Sequence, residues 1–196
     1  MVRFIVALVL GLVATSSIAH EATFGVRGES LPVHHLITFR AEAQETEVDF
    51  VLRVGAFLDR YTQVNGYEAC TDLIIQEGRL VARVTTNESH VGCLAVTYAG
   101  DELVGRSIHS HPAVGVVRLN LADNTFLRGD RGRQGADRRG TLRTRPGVSP
   151  TDRLGGPGYL VENGQVVFFS SQQPDRVVGP VAASPLPPSM LAALQE

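Results

Sequence analysis

Leu103-Val104-Gly105-Arg106-Ser107-Ile108-His109-Ser110-His111-Pro112 reads as a strand that closes on two histidines. Side chains two apart on a strand point to the same face. His109 and His111 therefore present two imidazoles side by side. Such a pair serves either as two ligands of one metal ion or as an exposed or hydrogen-bonded pair at a strand end.

Outward from this stretch the chain alternates one helix with many strands. Thr46-Glu47-Val48-Asp49 resembles a capping box. After it, Val48, Val51, Leu52, Val54, Phe57, Leu58 and Tyr61 recur at helical spacing, which predicts a helix over 47–62 broken at Asn65-Gly66. Val33 to Phe39 predicts a strand. Ala69 to Ile75 and Leu80 to Thr86, around Glu77-Gly78, predict a hairpin. Val91 to Tyr98 is expected to pair with Leu103 to His109. Tyr159 to Glu162 and Gln165 to Ser170, joined by Asn163-Gly164, give the clearest hairpin. His20 to Ser30 reads as a loose mature N-terminus. Residues 128–147 are Gly- and Arg-rich with no apolar period and read as a flexible surface insertion. Residues 176–196 read as a Pro-rich tail.

Met1-Val2-Arg3, the apolar run from Phe4 to Val13, and the small residues at Ser17 and Ala19 form a signal-peptide pattern with cleavage after Ala19. The run is shorter than the roughly 20 apolar residues a bilayer span needs. The expectation is an exported, periplasmic or secreted chain with no membrane span and one domain over residues 20–175. Net charge is −2, so no global field points to nucleic acid or acidic lipid. The chain contains no lysine, which excludes Schiff-base chemistry and a lysine nucleophile. Cys70 and Cys93 read as a disulfide in an oxidising compartment, or else as two separate buried thiols.

Val148-Ser149-Pro150-Thr151-Asp152 supplies a candidate third ligand. Ser at N-cap, Pro at N1 and an acid at N3 also make an ordinary helix start, and the two readings are compatible. Two His and one carboxylate leave a fourth zinc position open for water. Glu68, just ahead of a predicted strand, is either a solvated surface acid or a general base beside that water.

Together Glu68-Ala69-Cys70, His109-Ser110-His111-Pro112 and Ser149-Pro150-Thr151-Asp152 resemble, in order, the motifs of the JAMM (JAB/MPN-type) zinc metallopeptidases. The resemblance covers roughly residues 47–170. It implies an α/β fold of the JAB/MPN-like (cytidine-deaminase-like) kind, an α-β-α sandwich around a curved, mixed sheet. It also implies that His109, His111 and Asp152 bind Zn²⁺, that Glu68 moves a proton between water and the leaving amine, and that Ser149 hydrogen-bonds the oxyanion. Two departures stand out: residues 112–148 separate the second motif from the third, and Thr71 stands where the family usually has Gly.

The resemblance thus implies a zinc peptidase or isopeptidase acting on a protein or peptide. The alternative is a JAMM-like module that binds a partner without hydrolysis; loss of a ligand or of the Glu would favour it, and none is lost. A zinc deaminase would carry a P-C-x-x-C element, and this chain has no C-x-x-C.

Overall fold

The computed structural model describes residues 22–26, 29–127 and 140–181. The expected leader, most of the Arg/Gly-rich insertion and the end of the tail lie outside these residues. Strands β1 (Ala22–Val26) and β2 (Glu29–Arg40) form an antiparallel hairpin. Helix α1 (Glu47–Asn65) follows, then β3 (Ala69–Gln76), β4 (Arg79–Thr86) and β5 (Glu102–Ser110). The next connection carries β6 (Val116–Arg118), α2 (Leu121–Leu127), β7 (Thr141–Arg143) and α3 (Pro150–Leu154). Strands β8 (Gly158–Glu162), β9 (Gln165–Phe169) and β10 (Arg176–Pro180) complete the fold.

One eight-stranded sheet runs β1-β2-β4-β3-β5-β8-β9-β10, and β6 and β7 form a separate ribbon. Within the large sheet β5 and β8 are parallel and the other pairs antiparallel. The protein is therefore mixed α/β with a mixed sheet. Among the described residues no helix is long and apolar enough to cross a membrane.

Helix α1 begins where Thr46, in extended conformation, accepts a bond from the Asp49 amide at 3.2 Å. It ends at Gly66, whose φ of 77° is left-handed and whose N–H meets Thr62 O at 2.8 Å. Phe50, Val51, Val54, Phe57, Leu58 and Tyr61 form its buried stripe. They pack on Leu73, Val84, Ile108, Val161 and Val166 of the sheet. At Gly55 the helix comes so close that a Cβ would lie 2.9 Å from Val166 Cγ2.

Several expectations need correction. Val91 to Tyr98 is not a strand, and β5 pairs with β3 and β8 instead. That segment is held by other bonds: Cys93 is disulfide-bonded to Cys70, Thr85 Oγ1 donates to Leu94 O at 2.7 Å, and Leu94 N donates to Asn87 Oδ1 at 2.7 Å. The supposed loose N-terminus contains β1, paired along its length with β2. The tail begins with an edge strand, since Arg176–Pro180 pairs with β9. Thr141–Arg143, expected within the flexible insertion, pairs with β6. In each case pairing in the folded chain satisfies backbone groups that the local hydrophobic pattern left open.

The Cys70–Cys93 disulfide spans a sequence separation of 23 residues with a Cα–Cα distance of 6.1 Å. Chain-entropy reasoning gives such a loop about 3 kcal/mol of stabilisation. A Cys70→Ala/Cys93→Ala variant should lose stability of that order in urea titration under non-reducing conditions. An unchanged midpoint would refute the assignment of a stabilising bridge.

Candidate metal centre

Strand alternation divides the end of β5 between two faces. Ile108 is fully buried in the cluster under α1. Ser110, also fully buried, shares a 2.5 Å bond with Thr62 Oγ1 of α1. Its Oγ accepts from Ala69 N at 3.2 Å and donates to Ala69 O at 3.3 Å. His109 and His111 point to the opposite face. His111 is pinned just past the strand by its N–H to Val161 O at 3.1 Å.

The two imidazole rings lie 5.0 Å apart, and His109 also meets the edge of buried Phe169 at 5.8 Å. Phe169 reaches it because residue 158 is Gly: a Cβ there would lie 2.9 Å from Phe169 Cζ and 2.8 Å from Ser107 Oγ.

Asp152 is the third residue of α3. Ser149 Oγ accepts its N–H at 3.2 Å, and Asp152 Oδ2 accepts the Ser149 N–H at 2.6 Å. This capping box turns the carboxylate toward the histidines. Oδ1 lies 3.5 Å from His109 Nε2, and Oδ2 lies 3.6 Å from His111 Nε2. One ligand atom from each of the three residues falls within 4.8 Å of the others. Ligand bonds of 2.0–2.2 Å in a tetrahedron put donor atoms about 3.4 Å apart, close to both observed separations. His109 Nε2 is buried and has no hydrogen-bond partner among the described residues. A buried polar atom without a partner is costly, and a cation would satisfy it. The trio could therefore hold a metal ion, as the sequence motifs led us to expect.

Residues 112–148 do not separate the ligands in space. Thr144 N donates to Gly115 O at 2.9 Å, Gly115 N donates to Thr144 Oγ1 at 2.8 Å, and Thr144 Oγ1 donates to Ala113 O at 3.1 Å. Together with the β6–β7 ribbon, these bonds close the base of the insertion just beyond His111. Gly147 N then bonds to the Glu162 carboxylate at 3.0 Å, which leads the chain into α3.

Glu68 sits at the mouth of β3, only 7% exposed. Its N–H donates to Ser89 O at 2.7 Å and its carbonyl accepts from Thr86 Oγ1 at 2.7 Å. Its Oε1 stands 4.0 Å from His111 Nε2. The structure thus brings Glu68, His109, His111, Asp152 and, through the cap, Ser149 to one end of the sheet. Sequence reasoning missed Ser110, Thr62, Thr144 and Gly158, which hold them there. Ser110 was visible only as the residue between two histidines.

Burial pushes the Glu68 carboxyl well above its ordinary range, and Asp152 and then Asp123 add to the shift. Burial and the neighbouring His109 bring His111 down to about 4, against the opposing pull of Asp152. For Asp152, burial raises the pKa, but His109, the Ser149 N–H and His111 outweigh it and leave it at about 2. A neutral His111 facing an ionised Asp152 is the protonation state such metal ligands need. The chain matches no protein-family model, no curated protein and no solved structure.

A histidine held below its unfolded value of 6.5 resists a proton that the unfolded chain accepts. In metal-free protein the stability that His111 contributes should be present in full above about pH 6.5 and be lost as pH falls toward 4. A shift of this size corresponds to about 3 kcal/mol. Urea titrations in chelator at pH 7 and 4.5 should show this loss, and His111→Gln should reduce it. An identical loss in His111→Gln would rule out His111 as its source.

Proposed function

We propose that the protein is a zinc-dependent hydrolase of amide bonds, a peptidase or isopeptidase of the JAMM kind with a JAB/MPN-like fold. The observation that carries this reading is one buried carboxyl, Glu68, set 4.0 Å from a ligand-disposed His111 beside the His109–His111–Asp152 trio. Two imidazoles and one carboxylate make a three-ligand set with an open fourth position, which suits a catalytic zinc. Zinc held there would polarise a substrate carbonyl and bring the pKa of water toward about 7.

The chain's own residues divide the remaining work. Burial holds Glu68 above its usual pKa, which makes its carboxylate a stronger base toward the attacking water. It then returns that proton to the leaving amine. Ser149 Oγ uses a lone pair to cap α3, and its hydroxyl hydrogen remains to meet the developing oxyanion. Asp152 is oriented by the Ser149 N–H, which reduces the cost of ordering that ligand.

Glu68→Gln tests this directly. The amide keeps the size of the side chain but cannot accept a proton. The variant should retain about one zinc per chain and lose hydrolysis of a peptide library by about 10²-fold or more, read by mass spectrometry. His109→Ala/His111→Ala should lose the zinc. Full activity in Glu68→Gln, or equal zinc in the double variant and the parent, would refute the reading.

A further inference from the structure

We propose that His90, backed by buried Asp123, is a substrate-contacting residue of the same site and accepts a hydrogen bond from a substrate N–H through Nε2. The inference rests on the amide-hydrolase reading and extends it to substrate positioning.

The sheet register brings His90 to the metal end. Ala69 opens β3 opposite Thr86 near the end of β4, and Cys70 stands opposite His109 near the end of β5. The chain leaving β4 therefore passes the site at once, and Ser89 O holds the Glu68 N–H at 2.7 Å. The His90 ring packs edge-on against Tyr67 at 4.9 Å, so residues 89–90 flank Tyr67 and Glu68.

Asp123 lies behind this segment, fully buried at the start of α2. Oδ1 accepts from Ser89 Oγ at 2.7 Å and from His90 N at 2.6 Å. Oδ2 meets His90 Nδ1 at 2.7 Å and accepts from Asn120 N at 2.9 Å. An Asn in place of Asp123 would turn an NH₂ toward one pair of these donors, whereas a carboxylate accepts from all of them. The carboxylate accepts only, so the proton of the contact belongs to Nδ1, and in that tautomer the lone pair lies on Nε2. A purely structural tie would need only the Ser89 and backbone bonds. The fourth bond fixes the tautomer and orientation of a 16% exposed imidazole that packs on Tyr67, the residue before Glu68. The Asp123 charge also reaches Glu68 and helps raise its pKa.

Asn120 and Asp123 repeat the arrangement of Ser149 and Asp152, with Asp123 N donating to Asn120 Oδ1 at 2.9 Å. Each short helix of the β5–β8 connection thus offers a cap-oriented carboxylate to histidines at one end of the sheet. Asp152 faces the metal ligands and Asp123 faces His90.

The test uses the zinc-loaded full chain and two probes, acetohydroxamate and N-methylacetohydroxamate. Both present the same metal-chelating oxygens, but only the first has an N–H. Calorimetry on the parent should show the N–H probe favoured about fivefold or more, as for one hydrogen bond. In His90→Asn the amide nitrogen still reaches Asp123 but nothing occupies the Nε2 position, so the preference should vanish with zinc content and Tm unchanged. His90→Gln, which can place its amide oxygen near that position, should restore part of it. A His90→Asn protein that keeps the preference, or a parent that lacks it, overturns the proposal while leaving the hydrolase reading intact. A parent that retains no zinc overturns both.

Discussion

The Ser110 hydroxyl joins three elements at one buried point: Thr62 of α1 and both backbone groups of Ala69 at the start of β3, all from the last residue of β5. Buried polar groups persist only when their bonds are made, so this contact has few alternatives. It fixes how far β5 runs and which face each flanking residue takes. With Ser110 turned to α1, His109 and His111 must both turn away from it. Because the same bonds anchor Ala69, Glu68 is held beside the histidines.

The β5–β8 connection solves a different problem. Parallel strands require a crossover, and here it is long enough to separate His111 from Asp152 if it were slack. Thr144 and the β6–β7 ribbon close it at its base, and α3 starts a few residues later. The rest of the insertion can then vary in length without moving Asp152, because ends already joined feel little of the loop between them. α2 sends Asp123 back toward the site, so part of the connection belongs to its walls.

The charges at this end of the sheet form a set that could hold a cation. Three carboxyls, Glu68, Asp123 and Asp152, lie near three histidines with little exposure. Asp123 has hydrogen-bond donors on both oxygens. His109 Nε2 has no hydrogen-bond partner among the described residues, and Glu68 has its pKa raised by burial and by its acidic neighbours. A divalent ion would satisfy the first and stabilise charge on the second. Burial that would be a liability in a purely structural cluster is what sharpens acid–base and metal chemistry.

Local chemistry settled much of this in the sequence alone. The α1 stripe, the Asn163-Gly164 hairpin and the Ser149–Asp152 cap are governed by neighbours within a few residues, and period or turn type reveals them. The two-residue spacing of His109 and His111 likewise fixed their shared face. Tertiary structure decided the rest. Val91 to Tyr98 has strand composition, but Cys70, Thr85 and Asn87 hold it as a loop, and both edges of β5, its expected partner, are taken by β3 and β8. Thr144, Gly158 and the Asp123–His90 pair carry no local signature, since their meaning lies in partners 29 residues away for Thr144 and 33 for Asp123. Short-range periodicity specifies which face a side chain takes. Only long-range closure, with its entropy cost met by burial, specifies which faces meet.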